Sequence, residues 1–192
     1  MDFKSSLIVI VIFSMLQSNA QINVKAKIRN LELSENGNFP NNTGLPVLLY
    51  KNVFNFLNND PASTIEKVLA ENNWSGSWRN GIYSFHHYHS TAHEALGVYA
   101  GWAEVQLGGP DSETLRIEKG DLVVLPAGTA HKKIRSGDGF AVVGAYPDGQ
   151  NWDMNYGKDN ELPKAKENIS KVALPKNDPV YGNNGRMFDF WK

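Results

Sequence analysis

The chain contains no cysteine. Disulfides, thiolate-bound zinc, iron–sulfur clusters and cysteine nucleophiles are therefore excluded. It also lacks a basic block. Lys and Arg total 19 against 20 Asp and Glu, for a formal net charge of −1. No clustered positive face is available for a nucleic acid. No apolar run reaches the roughly twenty residues needed to span a bilayer. Gaps of helix length between short apolar segments are missing through the middle of the chain. Strand–helix–strand units and a parallel sheet are thereby disfavoured. Histidine is scarce and unevenly distributed. All five, His86, His87, His89, His93 and His131, fall between positions 81 and 131.

What is present fits one soluble domain with some extension. The length is 192 residues, with 41% hydrophobic and 20% charged side chains. The first twenty residues have the plan of a secretory signal peptide. Lys4 gives a positive start, Leu7 to Leu16 is apolar apart from Ser14, and the small residues Ser18 and Ala20 precede a cut after Ala20. The mature protein is expected to begin near Gln21. It is expected to be exported, periplasmic or extracellular, with no membrane attachment after cleavage.

From residue 21 the chain alternates loosely. Val24, Ala26 and Ile28, with Leu31 and Leu33, suggest a first strand. The Asn, Gly and Pro cluster from Asn36 to Pro46 reads as a loop. Val47 to Tyr50 reads as a short buried strand. Asp60 to Asn73 is the one good helix. Ser63 with Glu66 three residues later has the pattern of a capping box, and Ile65, Val68 and Leu69 form one apolar stripe. This helix is expected to cover the core without chemistry of its own.

Trp74, Trp78 and the turn Asn80-Gly81 lead into a run of short apolar segments. They are Ile82 to His89, Glu94 to Tyr99, Trp102 to Leu107, Thr114 to Ile117, Leu122 to Leu125, His131 to Arg135 and Phe140 to Ala145. Turns rich in Gly, Pro, Asp and Ser separate them. Many short strands at close spacing point to an all-β sandwich or barrel. The divisions are therefore 1–20 as leader, 21–77 as first strands and covering helix, 78–146 as barrel core, and 147–192 as an irregular C-terminal extension. That extension ends in Phe188, Phe190 and Trp191, and is expected to dock on this barrel or on a second copy.

Alternate residues on a strand share a face. His87 and His89 then lie together with Tyr83 and Phe85, while His86 and Tyr88 face away. Glu94 opens the following strand on one face with Leu96 and Val98, and His131 can enter from a third strand. Two imidazoles, a carboxylate and a third imidazole can close around one ion. Such a set suits a divalent transition metal, Fe, Mn, Ni, Cu or Zn. His93 is the ambiguous member. It can replace Glu94 as the fourth ligand or support the ligands from behind. Tyr83 and Gln106 are candidates to reach the cavity. Arg79, Lys132 and Lys133 are candidates for holding an anionic substrate, with solvated charge as the default.

Two blocks carry a family resemblance. The spacing Gly81-x5-His87-x-His89-x4-Glu94-x6-Gly101 resembles the first cupin motif. Gly120-x5-Pro126-x-Gly128-x2-His131 resembles the second, with Arg135 where Asn is usual. The match covers about residues 78 to 146. Longer runs, including His86 to Glu94 and Val143 to Pro147, resemble a group of small, poorly characterised single-domain bacterial cupins. The resemblance implies an RmlC-like double-stranded β-helix, a jelly-roll barrel, holding one metal through His87, His89, Glu94 and His131. It also implies a small-molecule ligand and, at family level, a homodimer.

The function classes left are two. One is a metal-dependent enzyme of oxygenase or isomerase type acting on a small organic molecule. The other is a non-catalytic binder of a small ligand or carbohydrate. The motif holds no paired carboxylates. Tyr83 and His93 are the candidate catalytic groups beside the metal, which weakens hydrolase and epimerase readings and favours redox chemistry or binding.

Overall fold

The computed structural model describes residues 22–192. The leader and the cleavage point near Ala20 lie outside them. Seven strands form one antiparallel sheet: β1 (Lys27–Leu31), β2 (Val47–Lys51), β3 (Trp74–Asn80), β4 (Glu94–Leu107), β5 (Thr114–Glu118), β6 (Leu122–Leu125) and β7 (His131–Pro147). The hydrogen-bonded order is β1-β2-β6-β4-β7-β3, with β5 also paired to β4. The long strands β4 and β7 are the spine, paired from Ala95–Ala145 to Leu107–His131. The strand content and the antiparallel pairing match the expected all-β jelly-roll barrel. Helix α1 (Pro61–Glu71) lies between β2 and β3, and α2 (Leu162–Ile169) lies in the C-terminal extension.

Side-chain alternation explains why β2 and β6 read as continuous apolar runs. Val47, Leu49, Val123 and Leu125 point into the barrel, with Leu96, Val98, Val105 and Val142. Leu48, Tyr50, Leu122 and Val124 point the other way, into a second core. There they meet Ile65, Val68 and Leu69 of α1, with Met187 and Trp191 of the C-terminus. Both faces of these strands are covered, so neither needs polar residues. Gly97 lets α1 approach β4, since a Cβ there would stand 2.6 Å from Ile65.

Four expectations are corrected. The helix is capped by Asp60 rather than Ser63. Asp60 Oδ1 accepts the Ser63 N–H at 3.1 Å, and Pro61 takes the first helical turn, where its missing N–H is no loss. Glu66 consequently serves no capping box. It grips Arg79 of β3 through two 2.7 Å contacts. Trp74 to Asn80, expected only as a lead-in, is a strand on the edge of β7. The segment from Ile82 to His89 is not a regular strand. Its backbone pairs with different segments at consecutive residues, His87 with His131 and Tyr88 with Asn155. Finally, the pairs of short strands around Gly101 and around Ser136 to Gly139 are each one long strand with irregular register. Gly101 has φ +60°, and a Cβ there would stand 2.3 Å from the Gly137 carbonyl, so β4 bends at this point without breaking.

The extension docks on its own barrel. Trp191 is buried and donates its indole N–H to the Pro46 carbonyl at 2.9 Å, whereas Phe188 and Phe190 are half-buried. Asp178 ties the tail down. Its carboxylate accepts from Tyr50 Oη and from the backbone N–H groups of Val180, Tyr181 and Met187.

Candidate metal centre

The sheet brings His87, His89 and His131 together at one mouth of the barrel. All three are buried, and one ring nitrogen of each lies within 4.8 Å of the others. The His87–His131 bridge sets the first contact through paired backbone hydrogen bonds of 3.2 and 3.0 Å. The Pro126-Ala-Gly128 turn sets the second, because the Gly128 N–H donates to the His89 carbonyl at 2.7 Å. Gly128 has φ +94°, and a Cβ there would stand 2.8 Å from the Asn41 carbonyl. Only glycine fits that turn without strain.

The three imidazoles are oriented alike. His87 Nδ1 faces the Phe85 carbonyl at 3.3 Å and His131 Nδ1 faces the Thr129 carbonyl at 3.0 Å. His89 Nδ1 faces the Asp153 carbonyl. A carbonyl only accepts, so each Nδ1 carries hydrogen, and in the neutral ring each Nε2 is left with a lone pair. This is the arrangement that metal-binding histidines use.

Glu94 opens β4 on the inner face, in line with Leu96 and Val98. Its Oε2 stands 3.6 Å from His89 Nε2 and 3.5 Å from His131 Nε2, and has no hydrogen-bond partner. Its Oε1 accepts from Tyr146 Oη at 3.2 Å. Donor atoms about 2.1 Å from one ion stand roughly 3 to 4 Å from each other. The buried His87, His89 and His131 triad therefore fits a metal ion, with Glu94 Oε2 at ligand spacing from His89 and His131. A buried carboxylate oxygen with no donor, facing imidazole lone pairs, is otherwise a costly arrangement.

The electrostatics agree. Burial alone would raise Glu94, but the surrounding imidazoles, His89 first, hold its carboxyl well below the usual range. Burial lowers His87, and it lowers His131 to about 3, with His87 adding to the effect. Burial also acts downward on His89, yet the Glu94 carboxylate outweighs it and leaves this histidine raised. The Glu94 carboxylate is thus electrostatically coupled to all three histidines.

His93 is not at this centre. It precedes Glu94 on β4 and points to the opposite face, into the outer core. Its Nδ1 accepts the Ala127 N–H at 3.0 Å, and its ring packs on Trp191 at 4.8 Å. These contacts place it in the outer core, away from the residues that line the cavity. Tyr83 stands at the cavity mouth, edge-on to His87 with ring centroids 5.1 Å apart. His86 faces away and bonds to Gln106 at 3.1 Å, so neither reaches the centre. Arg135 is exposed and paired with Glu104.

Above the centre opens a cavity of about 400 Å³. Its walls include Trp78, Tyr83, Leu96, Tyr146, Trp152 and Met154. Three of the residues that shape it were not anticipated: Tyr146, Trp152 and Asp153. Tyr146 lies on the inner face of β7, two residues beyond Gly144, and its hydroxyl also accepts the Trp78 indole N–H at 3.0 Å. A Cβ on Gly144 would stand 2.2 Å from the Trp78 ring, so glycine lets that indole lie across β7. Alternation from Val142 is the signal in the sequence that places Tyr146 on this face. No pattern in the sequence pointed to Trp152, which packs on His89 at 5.2 Å from an irregular segment. Asp153 anchors that segment. Its carboxylate accepts from the backbone N–H and hydroxyl of Ser90, both at 2.6 Å.

No family model matches the chain. Among solved structures, an acireductone dioxygenase from Bacillus anthracis with cadmium in its active centre is 18% identical, at a TM-score of 0.33. The likeness covers 44% of this chain and 57% of that one. A cupin 2 domain-containing protein from Halorhodospira halophila is 10% identical at a TM-score of 0.33, over 78% of this chain and 83% of that one. The protein YjlB of Bacillus subtilis, described as uncharacterized, is 36% identical over 157 residues, 82% of this chain and 92% of its own. On that identity and coverage, the chain belongs to the same family as YjlB.

Proposed function

We propose that this chain binds one divalent transition metal through His87, His89, Glu94 and His131, and serves as a metal-dependent oxidoreductase of oxygenase type on a small organic molecule. The observation that carries the metal reading is the unpartnered Glu94 Oε2 facing the Nε2 lone pairs of His89 and His131. A redox-active metal bound there supplies a path for electrons and a Lewis acid for the substrate.

The chain's own groups favour redox chemistry over proton shuffling. An isomerase or epimerase needs a base poised near neutrality. Burial first, and then the Glu94 carboxylate, push the Tyr146 hydroxyl far up. It stays protonated and donates to Glu94. Arg79 on the cavity wall is held by Glu66 and Asp60. Among the described residues lining the cavity, Tyr83 is the remaining titratable group outside the ligand cluster. The walls themselves present aromatic surface to an organic molecule on the His87 and His89 side of the centre.

Anaerobic purification with elemental analysis tests the first half. About one transition metal per chain is expected, with little in a His87→Ala/His89→Ala double variant. Undiminished metal in that variant would overturn the site. Oxygen uptake against small organic acids, phenols and sugars tests the second half. Metal-dependent uptake with at least one class is expected. A metal-loaded protein that binds such molecules without consuming oxygen is a binder instead.

A further inference from the structure

The cavity's polar groups are nearly all engaged by the protein itself. Arg79 gives its Nε and Nη2 to Glu66 at 2.7 Å each and its Nη1 to Asp60. The Trp78 N–H is taken by Tyr146, and the Tyr146 hydroxyl by Glu94. A polyol needs several free donors and acceptors around it, and an unmet hydroxyl is costly to bury. These walls offer aromatic surface in their place.

Two aromatic side chains are half-exposed on this side of the centre. Trp152 is 48% exposed and packs on His89, and Tyr83 is 49% exposed and stands edge-on to His87. Each is backed by a second ring. Trp152 stacks on Tyr146 at 6.0 Å and Tyr83 on Phe85 at 4.8 Å. Both faces are thus braced beside two of the three imidazoles. Planar rings favour such offset or edge contacts. Beside the lining residue Gly81 lies Lys133, whose Nζ is 3.9 Å from where a Cβ on Gly81 would stand. Lys133 makes no ion pair among the described residues, unlike Arg79.

We propose that the cavity takes a monocyclic aromatic carboxylate, its ring between Trp152 and Tyr83 and its carboxylate at Lys133. About 400 Å³ is ample for one such molecule with a few waters. The ring then lies against the open side of the histidine cluster. This substrate class rests on the proposed function only in placing the metal beneath the ring. The recognition itself is by walls that do not ligate.

Calorimetric titration of the purified full chain tests it, with benzoate, 2-hydroxybenzoate, phenol, cyclohexanecarboxylate and glucose as probes. Benzoate and 2-hydroxybenzoate are expected to bind saturably and glucose not at all. Trp152→Ala and Tyr83→Ala should each weaken benzoate by about tenfold or more. Lys133→Gln should weaken benzoate by a similar factor and leave phenol unchanged. Circular dichroism and metal content, measured on every variant, separate lost recognition from lost folding or lost metal. Glucose binding as tightly as benzoate would overturn the proposal. So would cyclohexanecarboxylate matching benzoate, or full affinity in the Trp152→Ala and Tyr83→Ala variants. Metal-free protein that still binds benzoate with these sensitivities would uphold the substrate class while the metal reading fails. Metal-loaded protein that ignores the aromatic acids would do the reverse.

Discussion

Tyr146 Oη donates to Glu94 Oε1 at 3.2 Å and leaves Oε2 aimed at His89 and His131. The two residues sit on neighbouring strands, β7 and β4. The same hydroxyl receives the Trp78 N–H from β3 at 3.0 Å. Three strands therefore fix the orientation of one carboxylate. Tyr146→Phe keeps the ring packed on Trp152 but frees Oε1. Metal affinity, measured by competition with a chromogenic chelator, is expected to fall about tenfold. An unchanged affinity would show that Glu94 is oriented by something else.

Glu94 and His93 are adjacent in sequence and opposite in role. Glu94→Gln is expected to lower metal occupancy well below one per chain. His93→Ala should leave occupancy at the level of wild type and lower stability instead, because it removes a ring packed on Trp191 and the acceptor for the Ala127 N–H. Elemental analysis of the two variants beside their melting curves decides between these roles. The reverse order of occupancy would return His93 to the metal.

His93 also makes the fold sensitive to acid. Burial lowers it from 6.5 to about 4 in the folded chain. Between those values the unfolded chain takes up the proton and the folded chain does not. Stability therefore falls as pH drops through this window and is intact above about 6.5. The full effect is roughly 3 kcal/mol by pH 4. In urea titrations, His93→Gln should lose less stability between pH 7 and pH 4 than wild type does. Parallel curves would refute this assignment, since the other histidines are common to both proteins.

Trp191 closes the outer core from the far end of the chain. Its indole N–H reaches the Pro46 carbonyl, and its ring covers His93. Trp191→Ala should cost about 3–5 kcal/mol in denaturant unfolding, the usual range for emptying a large aromatic site. A loss under about 1 kcal/mol would mean that the tail contributes little to the fold.

We propose that the leader is removed after Ala20. Protein recovered from its native cells should begin near Gln21. An intact Met1-Asp2 start would count against export by cleavage.

Much of the barrel was legible in the sequence because its signals are local. Turn glycines such as Gly101 and Gly128 mark required backbone shapes, and a two-residue period assigns faces. Period alone placed His87 with His89, and Glu94 with Leu96 and Val98. His93 was ambiguous in the sequence because it precedes the strand that Glu94 opens, and only its contacts with Ala127 and Trp191 set its place. The helix was found from its apolar stripe, but its cap was misplaced by three residues. Both Asp60 and Ser63 have the chemistry of a cap, and only the entering chain direction chooses between them.

What the sequence by itself determined is the set of imidazoles and the carboxylate, their spacing and the barrel that carries them. The tertiary structure decided what surrounds that set. Tyr146 gains its role because β7 lies beside β4, and Trp152 because Asp153 pins an irregular loop to Ser90 about sixty residues away. Such contacts leave no period or motif in the chain. They exist only when distant segments are packed against one another, and that packing sets which atoms of Glu94 and the histidines face the cavity.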